Sequence, residues 1–363
     1  MRIGWISLTD FRSYEQLDWE PDSGVNLLIG LNGSGKTNLL EAVAYLGSLR
    51  SFRGTPEEAL ISVGAERAVV RASVRSGSER LVELEINRKG PRRVQVDKSR
   101  LGRISDLLGV VRTISFLPED LDLVKRGPAL RRDLLDEIGV QLWPGSYQEQ
   151  SDYERALRQR NAFLKGHDRD TTTLGVWDSR MAAAGSRVIA RRFRALSTIA
   201  ESLDACYREV SGIDVGLGFE YRASWSEQVD LTAPAARFAD ELALALDRAR
   251  GNDMERRMTT VGPHRDEPLL ILGGLDARTH ASQGEQRTVA LSVRLAAHRA
   301  VEDQIGEAPL LLLDDVFSEL DEKRAMALAA ALPMSSQTFI TSARPEDVPV
   351  TGRQWSVTPG RVS

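Results

Sequence analysis

Eight consecutive residues, Gly30-Leu31-Asn32-Gly33-Ser34-Gly35-Lys36-Thr37, fit the pattern GxxxxGK(S/T), whose chemistry is the cradling of nucleotide phosphates. Glycines let backbone N–H groups turn inward around a β-phosphate, and the helix that follows adds its positive N-terminal dipole. In that reading Lys36 bridges the β- and γ-phosphates, Thr37 offers a hydroxyl to Mg²⁺, and Asn38 opens the helix. Lysine is scarce, with six among 48 basic residues, so a chance match is on the order of a few in a thousand. The bland alternative is a glycine-rich turn with an exposed lysine. An apolar run at 25–29 before the loop and an amphipathic start at 38–43 after it supply the strand, loop, helix order the motif requires.

Further along, Pro309-Leu310-Leu311-Leu312-Leu313-Asp314-Asp315 reads as a buried parallel strand ending in two carboxylates, where a strand's carboxyl end meets a ligand crevice. Asp314 is then expected in the Mg²⁺ shell. Asp315 stands where many related ATPases carry the glutamate that orients or deprotonates the attacking water. Ser282-Gln283-Gly284-Glu285-Gln286 opens a periodic apolar helix, and Ser282 with Glu285 is also a capping-box pattern. Ser282, Gly284 and Gln286 at a helix start about 30 residues before Asp314 are nevertheless how an ABC-type ATPase presents hydroxyl, backbone and dipole to a γ-phosphate. Such a group acts on ATP held by a second copy, which would make a homodimer ATP-dependent. Ser318-Glu319-Leu320-Asp321 resembles the loop that communicates between two such sites, while Thr341-Ser342 stands where ABC transporters place a switch histidine.

The elements that must position these groups are legible as periodicity. Strands are expected at 2–8, 25–29, 68–74, 81–86, 93–96 and 110–116. Long amphipathic helices follow at 131–140, 147–165 and 176–210, with a break at Trp143-Pro144-Gly145. After a strand at 213–221 and a helix at 235–249, strand and helix alternate at 269–272, 284–302, 310–314, 322–332 and 337–341. The expected fold class is α/β. One ATPase head is built from residues 1–128 and 252–363, with residues 129–251 inserted as a helical lobe and no long coiled coil.

The 363 residues are 42% hydrophobic and 28% charged, with 52 acids against 48 bases. That is ample material for two packed lobes and excludes a disordered or collagenous chain. A formal charge of −4 means that phosphate binding is local rather than global. Cys206 is the only cysteine, which excludes an intramolecular disulfide and a cysteine-rich zinc site. A cytoplasmic setting is expected, since no run approaches the roughly 20 apolar residues a bilayer needs.

Phe11-Arg12-Ser13-Tyr14, Ser51-Phe52-Arg53, Phe116-Leu117-Pro118-Glu119-Asp120, Arg131-Arg132-Asp133-Leu134-Leu135-Asp136, Gln159-Arg160-Asn161 and Gly262-Pro263-His264-Arg265-Asp266, with the segments above, occur in an order that resembles the RecF family of bacterial recombination mediators over nearly the full chain. Glu285 stands where similar sequences often have glutamine, and Asp133 where an aromatic is common. The resemblance implies an ABC/SMC-type ATPase head whose ATP- and Mg²⁺-dependent dimer binds single-stranded, gapped or junction DNA. It also implies action with RecO and RecR in RecA loading and the SOS response, and weak, DNA-stimulated turnover that serves as a binding switch. A transporter-associated ABC ATPase is the alternative. Asp315 is one methylene shorter than glutamate, which places a directly acting carboxylate roughly 1.5 Å farther from water and predicts slow hydrolysis.

For DNA, Arg88, Lys89, Arg92, Arg93, Lys98, Arg100 and Arg103 face one acid, Asp97. A hairpin so charged would track phosphates without reading bases, or be merely a solvated face. Arg187, Arg191, Arg192 and Arg194 form a second cluster on a helix without all sharing one face. The resemblance gives the turn at His264-Arg265-Asp266 a nucleotide-sensing or DNA-facing role, the ordinary alternative being a hydrogen-bonded turn that orders the strand behind it.

Overall fold

The computed structural model describes residues 1–166 and 170–363. In chain order its principal elements are β1 (Arg2–Phe11), β2 (Tyr14–Trp19), β3 (Val25–Ile29), α1 (Lys36–Ser48), β4 (Arg67–Ser76), β5 (Ser78–Asn87), β6 (Arg93–Val96), β7 (Ser99–Arg100) and β8 (Thr113–Phe116). Then come α2 (Pro128–Leu142), α3 (Ser146–Lys165), α4 (Thr171–Ser211), β9 (Leu217–Arg222), α5 (Ala235–Arg256), β10 (Glu267–Leu272), β11 (Leu275–Asp276) and α6 (Ala277–His280). The chain finishes with α7 (Gln283–Ile305), β12 (Leu310–Asp314), α8 (Glu322–Ala331), β13 (Thr338–Ser342), β14 (Arg353–Thr358) and β15 (Arg361–Val362).

The chain divides into two compact units. The first comprises Met1–Asp122, Ser202–Asp214 and Gln283–Ser363, the second Leu123–Glu201 and Val215–Ser282. A boundary at 251/252 would fall inside α5, and the second unit also contains the antiparallel sheet β11-β10-β9. In the first unit, one sheet runs β15-β14-β3-β13-β12-β8, with β14, β3, β13, β12 and β8 all parallel. β12 and β13 are buried at every position, which is why they read as continuous apolar or small-residue runs rather than alternating ones.

The other sheet of that unit, β2-β1-β4-β5-β6-β7, is antiparallel throughout. Its β5 alternates buried Val82, Leu84 and Ile86 with acids that meet arginines across the strand pair, Arg71 with Glu83 and Arg67 with Glu85. Helix α1 packs against β8, β12 and β13 and also touches β1, and ten of its residues are buried.

Two expected strands start later. β8 begins at Thr113 because Gly109 turns the chain with φ 90°. β9 begins at Leu217 because Gly212 and Gly216 both take positive φ. The periodicity missed β2, at one sheet edge, and β14, which lies between the expected β3 and the two-residue β15.

Candidate phosphate-binding site

β3 ends at Ile29, and the loop to α1 turns at the carboxyl end of the parallel sheet. Gly33 and Gly35 take φ 82° and 108°, a region that favours glycine. A side chain on Gly30 would strike the backbone oxygen of Val357, and a Cβ on Gly35 would stand 2.9 Å from the Tyr14 hydroxyl. The loop is thus held close between β14 and the β1–β2 turn. Leu31, Asn32 and Gly33 are exposed, whereas Ser34, Gly35 and Lys36 are buried. Lys36 Nζ donates to the carbonyls of Gly30 at 2.6 Å and Leu31 at 3.0 Å. Burial pulls the Lys36 pKa down, and the nearby carboxylates of Asp315 and Asp314 oppose that shift. The Ser34 hydroxyl is buried without a partner.

In the sheet, β13 lies between β3 and β12, so the carboxyl ends of all three meet. The Thr37 hydroxyl donates to Asp314 Oδ1 at 2.9 Å. Thr341 Oγ1, at the end of β13, donates to the same oxygen at 2.7 Å and accepts from the Asp315 N–H at 2.9 Å. Thr341 is the positioning residue that sequence reasoning missed. Its place near the end of β13 is the sole local signal. Asp315 sits at φ 51°, one Oδ1 oxygen buried without a partner. Burial raises the pKa of both Asp314 and Asp315.

One hydroxyl and one carboxylate in contact suit Mg²⁺, which binds few protein oxygens and keeps waters and phosphate oxygens for the rest of its shell. Among the described residues no cluster of three or more His, Cys, Asp or Glu side chains could cage a metal unaided.

A second layer supports the loop. Arg12 clamps the fully buried Glu41 of α1 at 2.8 and 2.9 Å and also reaches Thr55 Oγ1 and the Ala59 carbonyl. Ser51 also donates to Glu41. That network orders the turn carrying Arg53, which donates to Asn38 Oδ1 at 3.3 Å and lies near enough to Asp314 to lower its pKa. Asn38 in turn donates to Ser13 Oγ.

Ser282, Gly284 and Gln286 stand at the start of α7. Arg324 of α8 lies against Gly284, filling the space of a side chain there. It pairs with Asp321 and donates to Thr288 Oγ1 at 3.2 Å. Arg287 donates to the Glu319 carbonyl, giving the 318–321 loop a second tie to α7.

The expected DNA hairpin needs one correction. Arg92 turns inward, donating to the Tyr45 hydroxyl and Leu49 carbonyl at 2.9 Å and pairing with Glu57 at 2.8 Å. It braces α1 and is not available to a phosphate. Arg88, Lys89, Arg93 and Lys98 are exposed, but Arg88 donates to the Ala65 carbonyl and Arg93 shares Glu85. The His264 turn is held by a network of side-chain hydrogen bonds. Asp266 is buried, accepting from the Tyr221 hydroxyl, the Trp225 indole, and Ser224 N and Oγ, and His264 Nδ1 is 2.6 Å from the Tyr153 hydroxyl.

Residues 2–361 match the model of the RecF/RecN/SMC N-terminal domain family. The chain is 40% identical to the DNA replication and repair protein RecF of Streptomyces avermitilis, covering 100% of this chain and 99% of that one. With RecF of Kineococcus radiotolerans it shares 41% identity over 96% and 94% of the two chains. Among solved structures, the recombination mediator protein RecF–ATPrS of the RecFOR pathway superposes with a TM-score of 0.91 at 31% identity, covering 100% and 97%. An SMC head bound to the winged-helix domain of ScpA gives 0.55 at 16% identity, a likeness of fold alone.

Proposed function

The chain belongs to the RecF family, and from that premise we propose that it is an ATP-gated DNA-binding protein of replication and repair, which dimerises head to head on ATP and DNA. The observation that carries this reading is the convergence of Lys36, Thr37, Asp314 and Asp315 at the carboxyl ends of adjacent parallel strands. The backbone N–H groups of the loop and Lys36 bind and orient the phosphates of ATP. Thr37 and Asp314 are the residues that would hold Mg²⁺, which when bound offsets charge on the phosphate oxygens. Asp315, with a carboxyl oxygen buried and unpartnered and a raised pKa, is the group to accept a proton from the attacking water.

Thr341 fixes both aspartates and sets the reach of Asp315. The short side chain favours slow turnover, with hydrolysis timing release rather than driving work. Ser282, Gly284 and Gln286 complete the site of a second copy. RecO, RecR and RecA enter as partners through the family, as does loading at gaps.

The test is DNA binding to gapped duplex at fixed salt with ATP, ADP or no nucleotide, on wild type and Ser282→Arg, with mass recorded in solution. ATP alone should raise both mass and affinity, and Ser282→Arg should lose both while still binding nucleotide. Nucleotide binding without either effect would overturn the clamp and favour a transporter-associated ATPase.

A further inference from the structure

Between residues 179 and 200 the chain contains five arginines and no acid, all within α4. The structure sorts them. Arg192 is buried, paired bidentately with Asp136 at 2.7 Å and donating to the Pro263 carbonyl. Arg191 is held by Glu149 at 2.8 Å. Arg180, Arg187 and Arg194 are exposed and, among the described residues, pair with no carboxylate, in contrast to their neighbours.

Those three recur at intervals of seven, which on an α-helix is about 10.5 Å per step and within about 20° of a straight line. Removing Arg192 from the cluster therefore leaves a single stripe. Two of its guanidinium groups rest on indoles. Arg180 lies 5.1 Å from the Trp177 ring, and Arg194 lies 4.2 Å from that of Trp143, which Arg191 also covers at 5.8 Å. Stacking fixes a guanidinium plane while leaving its N–H donors free for oxygen acceptors.

Like charges aligned on a rigid helix repel one another, and neutralising acids could have been placed between them, as they are along β4 and β5. A stripe left positive in a chain of net charge −4 complements an extended polyanion.

We propose that the Arg180–Arg187–Arg194 face of α4 is a DNA-backbone contact surface. It binds phosphates in succession without reading bases, and Trp143 and Trp177 hold the arginines in place. The proposal rests on the DNA-binding reading above and locates its main contact away from the β5–β6 hairpin, where Arg92 is internal and Arg93 is shared with Glu85.

The experiment compares wild type with Arg180→Gln/Arg187→Gln/Arg194→Gln, the corresponding triple lysine variant, and Arg88→Gln/Lys89→Gln. ATP is present, and duplex and gapped DNA are titrated across a salt series. The glutamine triple should lose at least about tenfold in affinity at moderate salt, and its slope of log K against log salt should fall by about two to three. The lysine triple should keep the slope. Thermal midpoint should fall by no more than a few degrees, from the lost ring contacts, and DNA-free ATP turnover should be unchanged in all, since Gln and Lys match Arg in helix propensity. The hairpin variant should change less than the glutamine triple. A glutamine triple with wild-type affinity and slope overturns the α4 assignment alone, leaving the face to a protein partner. A wild type that binds neither DNA overturns this proposal and the DNA reading together.

Discussion

The guanidinium of Arg324 lies on the backbone of Gly284, in the volume a methyl group there would claim. Thr288 closes the arrangement, accepting from Arg324 Nε at 3.2 Å and donating to the Gly284 carbonyl at 3.0 Å. A side chain at 284 would therefore displace the guanidinium of an arginine 40 positions away, besides meeting any approaching phosphate. Gly284→Ala should push Arg324 off α7 and weaken the proposed ATP-dependent dimerisation several-fold, with nucleotide binding at Lys36 intact. Adding Arg324→Ala to it should cost little more, because the contact is already lost. Dissociation constants of the two single variants and the double, by sedimentation, check this. Additive effects would show that the two residues act independently.

Asp315 is placed by its own backbone, at φ 51° and tied to Thr341, so a longer side chain reaches farther from a fixed point. Asp315→Glu should raise ATP turnover, by up to about a hundredfold if reach is the sole limit. Single-turnover hydrolysis with a circular-dichroism check of folding is the measurement. Unchanged or lower turnover in a folded, dimerising variant would refute the geometric account.

Arg12 and Glu41 form a pair in which the carboxylate is fully buried and the arginine side chain 14% exposed. Arg12→Ala strands that charge and should cost about 3–5 kcal/mol in urea unfolding. Replacing both partners with apolar residues should recover a good part of it. The single variant should also loosen the Ser51–Thr55 turn and with it the contact from Arg53 to Asn38.

Burial lowers the pKa of both His264 and His298 to about 4. The unfolded chain, with histidines near their ordinary value of about 6.5, binds more protons between those limits. Stability is therefore full above pH ~6.5 and falls as pH drops toward 4, with a limiting slope of about 1.4 kcal/mol per pH unit for each histidine. Unfolding free energies from pH 7 to 4.5, for wild type and His298→Gln, should show a shallower slope in the variant. Identical slopes would mean that His298 does not contribute.

Much of the site was legible because its chemistry is local in sequence. Gly30 to Thr37 carry their own turn, and the apolar runs before the loop and before Asp314 declare buried parallel strands. Nothing local marks Thr341 as the hydroxyl serving both aspartates, because that role exists only once β13 is placed between β3 and β12.

By itself the sequence determined the α/β class, the phosphate loop, its paired carboxylates and the helical stretch, since each follows from short-range spacing and the period of apolar residues. Tertiary structure alone decided which charges remain available. Arg92 and Arg192 look like their neighbours in the chain, yet one faces Tyr45 and Glu57 and the other Asp136. Arg180, Arg187 and Arg194 keep their donors for solvent or a ligand. The physical reason is that a buried charge must find a partner, and partners are brought by elements distant in sequence.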